Sequence, residues 1–378
     1  MPNTLTNLIP DAYAALDVVS RELAGFIPAV MRDPTADRVA IGQTLRVAQA
    51  PANAAGGNNT PAMSLPSAAD QTIGNKDLTI SKSRFFPFSW SGEEQNAVDK
   101  GSGYLTIQQD QIAQAIRAAI NEMETDLATA IYRAASRAYG TAGTTPFAGD
   151  LSDPANVLKI LLDNGTPKTD LQLVIDTAAG AKLRTMGQLT KVNEAGTESF
   201  ARQGVLLPLH GFDIRESAQI QVHTKGTGTS WVVNGSHAIG ATTIAAKSGS
   251  GTILAGDVIV LQGDTNKYIV TAALAEGSLA IGAPGLKVAH TDGQTITVGN
   301  NYTANTGFRR QAVLLATRLP VTPKEGDLAT DTQIITDPLT GISFELAWYP
   351  GFMMGVYHLR VVWGVKVIKP EHVANLLG

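Results

Sequence analysis

The chain has 378 residues, 44% of them hydrophobic, which is enough apolar material for the cores of two or three domains. Its 29 basic and 33 acidic residues leave a formal charge of -4, which argues against sequence-specific capture of nucleic acid by a basic field. With no cysteine, a disulfide framework, a thiolate zinc site and a cysteine nucleophile are excluded. No apolar run approaches the ~20 residues that cross a bilayer, and MPNTLTNLIPDAYAALDVV lacks a basic stretch leading into a long apolar one, so the expectation is a protein made and used in cytoplasm.

In chain order, the first expected element is an amphipathic helix over Pro10–Ala24, with Tyr13, Leu16, Val19 and Leu23 at helical spacing and Gly25 ending it. From Gln43 the texture turns extended. QTLRVAQ and DLTISKSRFFPFSW read as the two sides of an arm, separated by APANAAGGNNTPAMSLPSAADQTIGNK. A lone hairpin has little stability in water, so the arm, with its tip at Ala54–Ala62, is expected to rest on a neighbouring subunit. The alternative is a linker between domains.

The clearest pattern follows in TIQQDQIAQAIRAAINEMETDLATAIYRAASRAYG. Thr106 and Gln109 form a capping-box pattern, Gly140 marks the expected stop, and Asp110, Arg133 and Arg137 have signs that suit the helix dipole. Ile112, Ile116, Ile120, Met123, Leu127, Ile131 and Ala134 recur at steps of three and four, giving an apolar stripe roughly 50 Å long. Such a stripe reads first as core and second as a face for a partner.

Next, DLQLVIDTAAGAKLRTMG reads as a strand, Leu171 to Asp176, leading into a short helix, and FRRQAVLLATRLP as a helix or strand over Phe308–Pro320. Between them, from Val222 to Gly299, the strand-like runs TSWVVNG, TTIAAK, DVIVLQG, KYIVTAAL, LAIG and QTITV follow at short spacing. Gly263, Asp264 and Asn266 suit a tight turn between two of them. Six short strands in this span predict a small sandwich or barrel, inserted into a mixed α/β host through a surface loop.

Catalytic chemistry finds little to rest on. The histidines, His210, His223, His237, His290, His358 and His372, show no pair at metal-binding helical spacing. No nucleophile elbow, Walker A loop or dinucleotide-binding turn occurs. Asp257, Asp264 and Asp292 are oxygen donors in turns, without the spacing of a calcium loop, so they read as turn formers. Asn58, Asn234 and Asn301 begin N-x-S/T triplets, which carry no glycosylation inference without a signal peptide. No cofactor is expected.

GFDIRESAQI at Gly211–Ile220, GTILAGDVIVLQGDTNKYIV inside the insert, and LRVVWGVKVIKPEH at Leu359–His372, with Trp363 and Gly364 at its centre, together resemble the major capsid proteins of tailed bacteriophages. The resemblance is to the subgroup with an inserted immunoglobulin-like domain. It implies an α+β fold with an amino-terminal arm (1–42), an extended loop (43–90), a peripheral domain with a spine helix (91–140), an axial domain (141–221 and 300–330) split by the inserted β domain (222–299), and a peripheral carboxy-terminal β segment (331–378). It also implies a non-enzymatic coat subunit that pairs with itself in the pentamers and hexamers of an icosahedral head. A scaffolding protein and a portal would be partners, with DNA enclosed without sequence recognition and no membrane contact. The subunit would reside in the virion after assembly in host cytoplasm. Ile112, Ile116, Ile120, Met123, Leu127, Ile131, Gly263, Asp264, Trp363 and Gly364 are the expected structural and assembly residues. Competing readings are an encapsulin-like nanocompartment shell, a carbohydrate-binding or adhesion protein using the β domain, and, last, an enzyme.

Overall fold

The computed structural model describes residues 24–49, 61, 73–99, 104–186, 208–337 and 340–378. Apart from Ala24, the helix expected over 10–24 lies outside them, and so does most of the tip expected at 54–62. In chain order come β1 (Met31–Val39), β2 (Thr44–Gln49), β3 (Gly74–Thr79), β4 (Lys82–Ser91), the short helix α1 (Gly92–Asp99) and the long helix α2 (Tyr104–Ala134). Then follow β5 (Arg137–Gly140), α3 (Ser152–Asp163), β6 (Leu171–Ile175), α4 (Thr177–Arg184) and β7 (Phe212–Glu216). The expected insert holds β8 (Val222–His223), β9 (Trp231–Val233), β10 (Thr243–Lys247), β11 (Val258–Leu261), β12 (Lys267–Ala275), β13 (Ser278–Ile281) and β14 (Thr295–Val298). The chain closes with β15 (Tyr302–Arg309), β16 (Val313–Pro320), β17 (Asp331–Thr336), β18 (Ser343–Gly351), β19 (Met354–Val367) and β20 (Val373–Leu377).

One sheet has the order β1-β16-β19-β18-β17, with β4 also pairing β19. The period-two pattern of β4 turns Phe86, Phe88 and Trp90 inward while Phe85 stays exposed. Phe88 stacks on Tyr357 of β19 with ring centroids 5.0 Å apart. Helix α2 lies on this inner face, and its stripe forms one core with Trp90, Leu346, Leu359, Val361 and Trp363. Running ~46 Å at helical rise, it spans the face on which distant parts of the chain meet.

A second sheet runs β5-β20-β15-β6-β7. All five residues of β6 are buried, the mark of a strand covered on both faces. Helices α3 and α4 supply a separate core here through Val157, Ile160, Leu161, Ala179 and Leu183. Asp176 caps α4 by accepting from the Ala178 and Ala179 amides.

The strands between Trp231 and Val298 pair antiparallel in the cycle β11-β14-β9-β10-β13-β12, and β12 returns to β11. The ring is closed. Of the two forms expected, sandwich or barrel, the pairing is that of a barrel; an immunoglobulin-like sandwich keeps two sheets apart, whereas β11 here bonds to both neighbours. Val233, Ile244, Ile259, Leu261, Tyr268, Val270, Leu279 and Ile296 fill its interior. Lys267 and Tyr268 of β12 also pair with β5, so the barrel joins the second sheet along one short seam.

Four expectations need correction. The long helix stops at Ala134, not at Gly140, because the Ser136 amide and hydroxyl both donate to the Val373 carbonyl, at 3.0 and 2.7 Å. Arg137, expected to serve the helix dipole, therefore lies in β5, buried, with Nη1 on the Asn266 side chain. The second side of the arm breaks at Ile80: Gly74–Thr79 pairs with β2, while Lys82–Ser91 runs along β19. The segments assigned to 300–330 and 331–378 also exchange strands, since β16 joins the first sheet and β20 the second.

Candidate functional site

Two of the residues singled out by the sequence, Trp363 and Gly364, sit where the arm, the long helix and the first sheet meet. Trp363 is fully buried, and its indole N–H donates to Asp126 Oδ2 at 2.9 Å. Lys82, 5.8 Å above the Trp363 ring, bonds Asp126 at 2.8 Å and Glu122 at 3.0 Å, and Arg84 adds a second bond to Glu122 at 2.9 Å. Burial would raise the Glu122 carboxyl, but the hydrogen bonds from Lys82 and Arg84 outweigh it and hold the group below the usual glutamate value. At Gly364, an added Cβ would stand 2.5 Å from the Thr79 carbonyl oxygen and 3.1 Å from Ile80 Cα. The base of the arm therefore crosses directly over this residue. Leu78 and Ile80 are buried there against Leu314, Ala316, Val362 and Ile368, so the arm's root is supported by its own chain.

On α2, Ile112, Ile116, Ile120, Met123, Leu127 and Ile131 are at most 6% exposed and share one core. The sequence reading missed Glu124, the carboxylate among them. It is buried, has no cationic partner among the described residues, and accepts from the Gly25, Phe26 and Ile27 amides at 3.1, 2.9 and 2.6 Å and from the Ser217 hydroxyl at 2.9 Å. Successive amides cradling one carboxylate make a small anion nest. Burial pushes this carboxyl up, and the four donors offset only part of that rise. The signal was present: Glu124 lies four residues after Ile120 and three before Leu127, on the apolar side of the stripe.

Gly263, at φ +83, and Asp264 form the turn expected of them. Asp264 accepts from the Asn266 amide at 2.8 Å and the Tyr268 hydroxyl at 2.6 Å. Burial would raise its carboxyl, but these bonds prevail and hold it below the usual range. Asp257, fully buried at the barrel's root, accepts from His223 Nε2 at 2.8 Å and from the Leu254 amide at 2.7 Å. The other His223 nitrogen lies 3.3 Å from the Tyr132 hydroxyl of α2, so a polar seam joins barrel to helix. Asp292 is spent on Lys247 and the Gly235 amide. The three aspartates thus stand apart, and no group of three His, Asp or Glu among the described residues could hold a metal ion.

The turn from β18 to β19 carries exposed apolar side chains. Phe352 is 93% and Met353 68% exposed, and the Met353 carbonyl accepts from the Gly92 amide at 3.2 Å. The tip is anchored while its side chains face solvent.

No protein-family model and no curated protein matches the chain. Solved structures do. The capsid of cyanophage P-SCSP1u is 12% identical with a TM-score of 0.51, over 92% of this chain and 86% of that one. A Mycobacterium phage Che8 structure is 14% identical at TM-score 0.48, over 89% and 84% of the two chains. A virus-like particle from Pyrococcus furiosus is 9% identical at TM-score 0.44, over 98% and 100%. At these identities the likeness is one of fold, and the cyanophage capsid protein shares that fold with this chain along nearly all of its length.

Proposed function

We propose that the chain is the coat subunit of a phage head, assembling with copies of itself into the pentamers and hexamers of a closed shell around double-stranded DNA. The observation that carries this reading is the fold shared with the cyanophage capsid over 92% of the chain. On this reading α2 is the spine on which the host domains rest, the β2–β3 arm reaches across a neighbour beyond its anchored root, and the barrel is an inserted domain that stabilises the subunit and contacts adjacent copies. Assembly would be guided by a scaffolding protein and a portal, in host cytoplasm, and end in the virion. The DNA would be enclosed, not read, consistent with the formal charge of -4. Sedimentation and electron microscopy of the expressed chain test the proposal. Megadalton shells, tubes or polymers are expected. A chain that stays monomeric at high concentration, across a range of salt and with its scaffold supplied, overturns it.

A further inference from the structure

The first sheet ends on three strands, and two of them carry the devices that keep an open edge from pairing. β1 has Pro34 and a register break between Pro34 and Arg38, and β4 has Pro87 together with Lys82 and Arg84. β17 has none of these. Its sequence, DTQIIT, holds no proline, lysine or arginine, and it pairs with β18 without a break from Asp331 opposite Trp348 to Thr336 opposite Ser343. On its other side no strand pairs with it among the described residues. The loop before it is tied to β18 and β19, with Asp327 on the Tyr349 hydroxyl at 2.6 Å and on Arg360 at 2.7 Å. The ladder also fixes which groups the open side presents. The Asp337 amide donates to the Ile342 carbonyl, so residues of odd number turn their amides and carbonyls toward β18, and Thr332, Ile334 and Thr336 turn theirs outward. The same three side chains are exposed, Ile334 at 50%. A row of unpaired donors and acceptors set among threonine and isoleucine calls for another strand, not for a helix or a small molecule.

We infer that β17 pairs with β17 of a second copy of this chain, antiparallel about a two-fold axis at Ile334. Two features select that occupant. With Ile334 opposite itself and Thr332 opposite Thr336, the outward groups of both strands meet in about six main-chain hydrogen bonds, and the three exposed side chains of each copy fall on one face of a continuous sheet. Gln333 then stands diagonal to its own counterpart on the opposite face. Its Oε1 is buried with no donor among the described residues, and a diagonal neighbour is within reach of a long side chain, so each carboxamide gains a donor from the other. Asp337, which comes opposite Asp331, is already turned to the Thr340 amide at 3.1 Å and to the Thr340 hydroxyl. A two-fold contact of this kind uses up both edges and closes. The inference goes beyond the coat reading, because two chains pair this way whether or not the pairs build a shell.

The chain has no cysteine, so single cysteines report the register directly. Under gentle oxidation Ile334→Cys should form a disulfide-linked dimer about tenfold faster than Ile239→Cys, at an exposed position between β9 and β10, because paired strands hold the two thiols together. Residues opposite one another in a hydrogen-bonded pair have Cα atoms about 5.5 Å apart, within disulfide range. In a mixture of Thr332→Cys and Thr336→Cys chains, links between positions 332 and 336 should outnumber links of either position to itself. Adding Ile334→Pro, which an open edge tolerates, should abolish those links and leave the far-UV circular dichroism unchanged. Ile334→Lys, which sets two like charges face to face and spares the backbone, should abolish them too. Equal rates at 334 and 239, random linkage between 332 and 336, or links that survive Ile334→Lys overturn the inference. Shells that lack the link between 332 and 336 also overturn it while leaving the coat reading intact, and a linked dimer that never grows further does the reverse.

Discussion

The barrel and the unit built on α2 are both buried-core structures, yet they are assembled in opposite ways. The barrel's interior comes from one stretch, Val233 to Ile296, whose strands pair with one another in a closed ring. The core on α2 draws on Phe26, Trp90, Ile112–Ile131, Phe308–Leu315 and Leu346–Trp363, parts spread over nearly the whole chain. A local core can survive the loss of its host, whereas a core gathered from distant segments fails as a whole.

The sharpest way to break this comparison is Ile120→Asp, which places a charge where Ile120 is 6% exposed. The cost is on the order of 4 kcal/mol, enough to unfold the α2 unit. A protease-resistant core spanning about Val222 to Gly299 should remain, and the same span expressed alone should melt cooperatively at a modest temperature. Simultaneous loss of barrel and host, followed by NMR dispersion, would show one cooperative unit.

A smaller effect is expected at the crossing of arm and sheet. Gly364→Val should cost about 2 kcal/mol, because the nearest atom its Cβ would meet is the backbone carbonyl oxygen of Thr79. The loss should appear as faster amide exchange at Leu78 and Ile80, with barrel amides unchanged. A melting temperature equal to that of the parent would mean that the arm's root lifts freely.

The smallest expected effect is electrostatic. Glu122 titrates below its ordinary value, so its stabilisation is present above the unfolded-state pKa of about 4.3 and is lost as pH falls through the lower folded value. Part of the network with Lys82 and Arg84 is exposed to solvent, so its worth is about 0.5–1 kcal/mol. Glu122→Gln should flatten the acid limb of stability by that amount. Acid profiles that superimpose would remove the network from the balance holding β4 to α2.

The same contrast governs what could be read without a structure. The barrel's strands announced themselves through β-branched runs and the Gly263–Asp264 turn, because their partners lie nearby in the sequence. The stripe from Ile112 to Ile131 was equally plain, since periodicity is local. What escaped was set by distant partners: the helix end at Ala134 depends on Val373, some 240 residues away, and the split of the arm at Ile80 depends on β19. The barrel's closure escaped too, since pairing order leaves no mark on composition. Glu124 was legible by position and was overlooked because a lone carboxylate on a helix is usually solvated.

The layout of β4 against β19 has a mechanical side. The two strands run antiparallel from Lys82 opposite Trp363 to Ser91 opposite Met354. The arm is attached at the Lys82 end of β4, and the Phe352 tip at the Met354 end of β19. Tension between arm and tip therefore pulls each strand by its own amino end, in opposite directions along their shared axis. The inter-strand bonds carry that load in shear, side by side, instead of opening one after another like a zip. Pulled between its arm and its tip, the chain resists by shear along β4 and β19.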